Sequence, residues 1–223
     1  MPTNRKVVFA NEQVYHVFNR GVEKRPIFTT KRDFLRAVET LKYYHFTDLP
    51  LRFSKFLDLS DDKKKELLKN LNDENVLVEI IAFCLMPNHF HFILKQKKNS
   101  GISKFISNFS NSYTKYFNTK QTRIGPLLQG LFKAVLVEDD EQLIHLSRYV
   151  HLNPVTAYLI KPEDLEDYTW SSYPEYLGLT VERFANSKEV LSFFKSLEEY
   201  KKFVLDQVEY AQELDRIKHL TLE

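Results

Sequence analysis

The stretch VLVEIIAFCLMPNHFHFILKQ, residues 76–96, constrains what this chain can fold into more than any other. Its first part, VLVEIIAFCLMP, is a near-continuous apolar run and reads as a buried strand. HFHFILKQ follows with only Pro87 and Asn88 to turn on, so the two segments are predicted to form a β-hairpin. Side chains alternate along a strand, which puts His89 and His91 on one face and Phe90 and Phe92 on the other. The phenylalanines can then face helices, while the two imidazoles, about 7 Å apart by strand rise, can both reach one cation. The plain alternative is a half-exposed strand whose polar positions happen to be histidine.

The rest of the chain supplies elements to surround that hairpin. QVYHVFNR alternates Val14, His16 and Phe18 against Tyr15, Val17 and Asn19, the pattern of a strand. TTKRDFLRAVETLKYYHF carries Phe34, Val38, Leu41 and Phe46 near helical spacing, with Thr29 or Thr30 as N-cap. Residues 47–75 read as an insertion holding a short helix, opened by Ser60 and closed near Asn72. GISKFISNFSNSYTKYFNTK repeats apolar residues at i, i+3, i+4 and i+7, which is an amphipathic helix. LFKAVLVED reads as a strand, and DDEQLIHLSRYVHLN as a helix with acidic residues at its positive N-terminal end. Strand, helix, strand, strand, helix, strand is the split βαβ pattern of a ferredoxin-like antiparallel sheet. The further helix must pack on or beside that sheet. The expected class is therefore α+β, with a first unit over residues 1–165 and a helical extension over 166–223. Within the extension, KEVLSFFKSLEEYKKFVLDQVEYAQELDRIKHL reads as one broken helix or two in succession.

Composition excludes several classes. At 223 residues, 43% hydrophobic and 14% aromatic, the chain can bury a sizeable core, and with 5 glycines and 8 prolines it is not low-complexity sequence. No apolar run reaches the roughly 18 residues of a membrane helix, and the N-terminus lacks the apolar segment of a secretory signal. A cytoplasmic protein without membrane contact is expected. The single cysteine, Cys84, rules out an intramolecular disulfide and a cysteine-based zinc site. The net charge of +2 hides an asymmetry: from Lys161 onward the chain carries 8 basic and 14 acidic residues, and before it 24 and 16. A basic body with an acidic tail suits a domain that binds a polyanion next to a part that does not.

A site built on two histidines needs a further ligand, and SRYVHLNPV offers candidates. Tyr149 and Asn153 stand at i and i+4, one helical turn apart on one face. The Asn153 amide oxygen can coordinate a hard cation, and the Tyr149 phenol can act as a nucleophile. Each has an ordinary reading as well: Asn153 as the N-cap before Pro154, and Tyr149 as a half-buried aromatic of an amphipathic helix. His145 and His151 are further candidate ligands; His145, a turn before Tyr149, could instead tune its phenol. Tyr113 and Tyr116 are rival nucleophiles, although their spacing with Phe109 and Phe117 fits a packing face.

Taken together, these segments resemble the REP-associated tyrosine transposases and the single-tyrosine HUH transposases of bacterial insertion sequences. The similarity runs from about Tyr15 to Tyr176 through YHVFNRGVEKRPIF, AFCLMPNHFHFIL, YTKYFN, GPLLQGLFKAVLVED and RYVHLNPVTAYLI. It implies that His89 and His91 are metal ligands, Asn153 a third, and Tyr149 the nucleophile. It implies a transposase-like endonuclease and strand transferase, using Mg²⁺ or Mn²⁺ to cut single-stranded DNA at hairpin-flanked sites through a 5′-phosphotyrosine link. Ligand type alone favours zinc, iron or nickel over magnesium; Mn²⁺ is the compromise. DNA contacts are expected from Asn19, Arg20, Lys24 and Arg25 beside the first strand, and from Arg123, Gln129 and Lys133. The sequence departs from the family at Leu128 and Leu131, where relatives often carry Trp and Arg. The enzyme would work as a monomer or homodimer. Two rivals remain at this level: a non-catalytic DNA-binding protein of the same fold that recognises repeat hairpins, and a metal hydrolase using His89, His91 and His151.

Overall fold

The structure is a computed structural model that describes residues 7–69, 71 and 75–213. Four strands form its one sheet: β1 (Val14–Arg20), β2 (Val78–Met86), β3 (His89–Gln96) and β4 (Lys133–Leu136). They lie in the order β2-β3-β1-β4, and all three pairings are antiparallel. With α1 (Lys31–Tyr44) between β1 and β2, and α4 (Gly101–Lys120) between β3 and β4, this is the split βαβ arrangement expected from the sequence. The hairpin forms with Pro87 and Asn88 at its turn. Register puts Phe18 opposite His91 and His16 opposite Ile93 across β1 and β3, and Val135 opposite His16 across β1 and β4.

One face of the sheet is covered by α1 and α4. Tyr15 and Val17 of β1, Phe83 and Leu85 of β2, and Phe90, Phe92 and Leu94 of β3 meet Ile102, Phe105, Ile106, Phe109 and Tyr113 there. Thr30 caps α1 through a capping box with Asp33. The buried Asp33 carboxylate also accepts hydrogen bonds from Tyr116 and Lys120 near the end of α4, locking the two helices together.

The histidine face is covered over β2 and β3 by α5 (Asp140–Thr156) and the chain that follows it. Ile81, Ala82, Cys84 and Met86 of β2 and Ile93 of β3 pack there against Val150, Leu152 and Val155 of α5. Tyr173 and Tyr176 of α6 (Tyr173–Tyr176), Val190 of α7 (Lys188–Leu191), and Tyr200 and Val204 of α8 (Leu197–Leu205) complete this second core. Coverage on both sides is why β2 lacks polar alternation. Towards β4 the histidine face opens, and Lys133 and Val135 are exposed.

One local expectation changes and two open readings are decided. Asn153 is no N-cap: α5 runs on through Pro154, and the Asn153 amide donates to the Tyr149 carbonyl (2.8 Å) one turn back. The insertion holds two helices, α2 (Phe53–Leu57) and α3 (Asp61–Lys69), and Asn72 lies outside the described residues. Phe53 and Phe56 of α2 pack on Tyr43 as a small separate cluster. In the extension, α7 and α8 are separate because Ser196 starts α8 afresh, its hydroxyl accepting the Glu199 N–H. Among the described residues no helix is long and apolar enough to cross a membrane.

Candidate active site

The hairpin and α5 meet at the histidines. The His89 and His91 rings stand 5.1 Å apart and perpendicular, on the face opposite Phe90 and Phe92. Tyr149 projects from α5 so that its ring lies 5.4 Å from His91 and 6.0 Å from His16. It remains 46% exposed, at the boundary between the covered and open parts of the face. A phenol and an imidazole 58 positions apart in sequence, at 149 and 91, are thus neighbours.

Two further aromatic rings belong to the cluster. His16 Nε2 is 2.9 Å from His91 Nδ1, and the two rings lie edge to edge within 19° of parallel, their centres 5.1 Å apart. Phe18 stacks on His91 at 5.6 Å. Alternation along β1 had grouped His16 with Phe18; only the register of β1 against β3 puts them beside His91. Burial pushes the His16 imidazole down to about 4, and holds His91 well below the ordinary histidine range, helped by His89 and His16 nearby. Both rings are therefore neutral near pH 7, the form that offers a lone pair to a cation.

The donor chemistry fits a divalent cation. His89 Nδ1–H donates to Asn88 Oδ1 (2.6 Å), an atom that can only accept, so the lone pair of His89 is on Nε2. Asn153 uses its NH₂ on the Tyr149 carbonyl, so Oδ1 is the amide atom that could serve a cation. Among the described residues no three His, Cys, Asp or Glu side chains form a metal-binding group, so a cation held by His89 and His91 would need an amide or another donor as well.

The rival residues go elsewhere. His151 is fully buried: its Nδ1 is 2.7 Å from the Tyr200 hydroxyl and its Nε2 2.8 Å from the Ser172 hydroxyl. Both ring nitrogens are engaged inside the second core, which overturns the three-histidine hydrolase. His145 accepts from Arg148 Nη2 (2.8 Å) at its Nδ1 and lies against Phe203 at 5.7 Å. Tyr113 is buried and donates to the Ile27 carbonyl (2.6 Å); Tyr116 donates to Asp33 (2.9 Å). Burial first, then the Asp33 hydrogen bond, pushes the Tyr116 phenol up to about 12.

The expected DNA contacts divide. Arg20 and Gln129 are brought together, Arg20 Nε donating to Gln129 Oε1 (2.7 Å) and Gln129 N–H to the Arg20 carbonyl (2.8 Å). Lys24 and Arg25 are exposed in a tight turn after β1, Arg25 paired with Glu23. Lys133 is exposed on the histidine face, across from Phe18. Arg123 folds back on its own loop, donating to Asn118 Oδ1 (3.1 Å) and the Pro126 carbonyl (3.4 Å). Asn19 turns inward, and its side chain accepts the Arg20 N–H (2.8 Å).

Comparison with known proteins agrees with this architecture. The sequence model of the family described as "Transposase IS200 like" matches residues 38–153, just over half of the chain. Among solved structures, a REP-associated tyrosine transposase bound to a REP hairpin is similar at a TM-score of 0.51 and 14% identity, over 84% of this chain and 93% of that one. A candidate transposase from Deinococcus radiodurans gives a TM-score of 0.32 at 13% identity, over 67% of this chain and 95% of that one. No curated protein matches. A chain with this sheet order, this hairpin and this match over residues 38–153 belongs to the IS200-like transposase family.

Proposed function

We propose that this chain cuts and rejoins single-stranded DNA at hairpin-flanked sites, with Tyr149 as nucleophile and a 5′-phosphotyrosine intermediate. The observation that carries this reading is the half-exposed Tyr149 ring 5.4 Å from His91, while Tyr113 and Tyr116 are tied into the packing of α1 and α4. His89, His91 and Asn153 would hold Mg²⁺ or Mn²⁺. Their imidazole and amide donors would place it to supply Lewis-acid polarisation of the scissile phosphate.

The chain's own residues do the rest. Tyr149 gives up its phenolic proton and its oxygen attacks phosphorus in line. The bond from phosphorus to the 3′ oxygen breaks, that oxygen takes up a proton and leaves as a 3′-OH, and the 5′-phosphate stays on Tyr149. One phosphodiester is exchanged for another, so a 3′-OH can later attack the link and reseal the strand without a nucleotide cofactor. Arg20, Lys24, Arg25, Gln129 and Lys133 supply phosphate and base contacts. Arg123 and Asn19 support the loop and strand that carry them. A hairpin ligand is supported by the similar REP-associated transposase, whose structure contains one.

The test is a labelled single-stranded hairpin incubated with the protein and Mn²⁺. An SDS-resistant covalent adduct is expected. Tyr149→Phe should reduce it to background while hairpin binding survives, and His89→Ala should abolish cleavage. An adduct that persists in Tyr149→Phe moves the nucleophile elsewhere. Tight hairpin binding by the wild-type chain with no adduct leaves the non-catalytic binding reading instead.

A further inference from the structure

We propose that His16 is a positioning residue: its Nε2 accepts the Nδ1–H of His91, and this keeps the lone pair of His91 on Nε2, the nitrogen that faces away from β1's imidazole. The inference rests on the reading of His89 and His91 as a cation-binding pair.

The argument starts from one distance. His16 Nε2 and His91 Nδ1 are 2.9 Å apart, so a single proton lies between them. Two neutral imidazoles can share it in two ways. If His16 donates, the proton of His91 is on Nε2, and that ring has no lone pair left for a cation. If His91 donates, Nε2 keeps its lone pair. Which nitrogen of a histidine is available to a metal is set by the hydrogen bond that the other nitrogen makes.

His89 gives the standard for comparison. Its Nδ1 faces the Asn88 amide oxygen at 2.6 Å, which fixes the proton on Nδ1 and the lone pair on Nε2. A pair that closes on one ion through like nitrogens needs His91 in the same form. His16 provides for His91 what the Asn88 oxygen provides for His89. It does so from another strand, in a register held on both sides: β1 pairs with β3 and with β4. The two rings lie within 19° of parallel, and Phe18 is against both of them. His16 acts through His91 and does not itself ligate, since its Nε2 is occupied by the shared proton.

The experiment uses the full chain, labelled with ¹⁵N at histidine. Long-range ¹H–¹⁵N NMR of the metal-free protein reads the tautomer of each ring, and titration with Mn²⁺ alone reads affinity. In the wild-type chain the proton of His91 should be on Nδ1. His16→Leu should move it to Nε2 and weaken Mn²⁺ binding by about 10–100-fold, the usual effect of losing such a partner. His16→Gln places an amide oxygen where Nε2 stood, and should restore both the tautomer and the affinity.

A wild-type chain with the His91 proton on Nε2 overturns the proposal, and this measurement decides alone if His16→Leu does not fold. So does His16→Leu binding Mn²⁺ as tightly as wild type while His89→Ala does not bind; the cation site then stands and only the role of His16 falls. If the wild-type chain binds Mn²⁺ no better than His89→Ala, the cation site itself falls, and this role with it.

Discussion

Gly21 shows how closely the candidate site depends on single atoms. Its N–H donates to the Asn88 carbonyl (2.8 Å), which ties the end of β1 to the hairpin turn. The Asn88 side chain then faces both ways, its NH₂ donating to the Lys24 carbonyl (3.1 Å) and its oxygen accepting from His89. A Cβ on Gly21 would stand 2.2 Å from the Arg25 carbonyl oxygen, a backbone atom that cannot swing aside. Gly21→Ala should therefore cost about 1–3 kcal/mol of stability, the usual penalty of forcing extra volume into a packed site. Urea denaturation of the two proteins checks this, and an unchanged midpoint would mean that the turn opens at no cost.

At the scale of elements, α5 is fastened by polar groups as well as by apolar packing. His151 bridges Ser172 and Tyr200, Tyr200 also donates to Ser147 (3.2 Å), and Ser172 accepts the Phe83 N–H (2.9 Å) of β2. Burial holds the His151 imidazole down at about 3, against 6.5 in the ordinary state. The unfolded chain binds a proton at this residue below about pH 6.5 and the folded chain does not until about pH 3, so stability falls as pH drops through that window. Well below pH 6.5 the loss approaches about 1.4 kcal/mol per pH unit for the one group. His16 and His91, also lowered by burial, add to it with the same sign. His151→Gln should flatten the fall in stability between about pH 6 and pH 4 by close to one proton, read from urea denaturation across that range. An unaltered slope would show that His151 already carries its proton in the fold.

Elements whose two faces differ were the legible ones. β1 alternates, α4 keeps its apolar stripe, and the hairpin has only two residues to turn on, so each is readable from its own segment. The pairing of Tyr149 with the histidines was legible only through the resemblance to the tyrosine transposases, because a helix turn puts Tyr149 and Asn153 on one face without stating what that face meets. His16 was not, although its face was known: a strand segment does not state which residue of another strand it opposes. The interior placement of Asn153 and Pro154 was hidden for a related reason. An Asn-Pro pair ordinarily starts a helix, and here the packing of Val150, Leu152 and Val155 on β2 carries α5 through it.

At the scale of the whole molecule, the sheet has two cores, and the second is completed only by residues far along the chain. Val190, Tyr200, Val204 and Val208 all pack into it. Each buried apolar side chain contributes roughly 1.5–3 kcal/mol, against a total stability of about 5–15 kcal/mol for a typical domain. A chain ending at Asn186 should therefore lose cooperative unfolding. Cys84 provides the measure, since this single thiol is fully buried in the second core. It should resist a thiol reagent in the intact chain and react readily in the shortened one; equal protection would mean that α7 and α8 are dispensable to the core.

The two faces of the sheet also differ in how much is left uncovered. Only the part of the histidine face towards β4, where Lys133 and Val135 are exposed, lies open beside Tyr149. If Tyr149 is the nucleophile, as proposed, its substrate has to come in over that uncovered part, from the β4 edge of the sheet, because α5 and the chain after it close the other side.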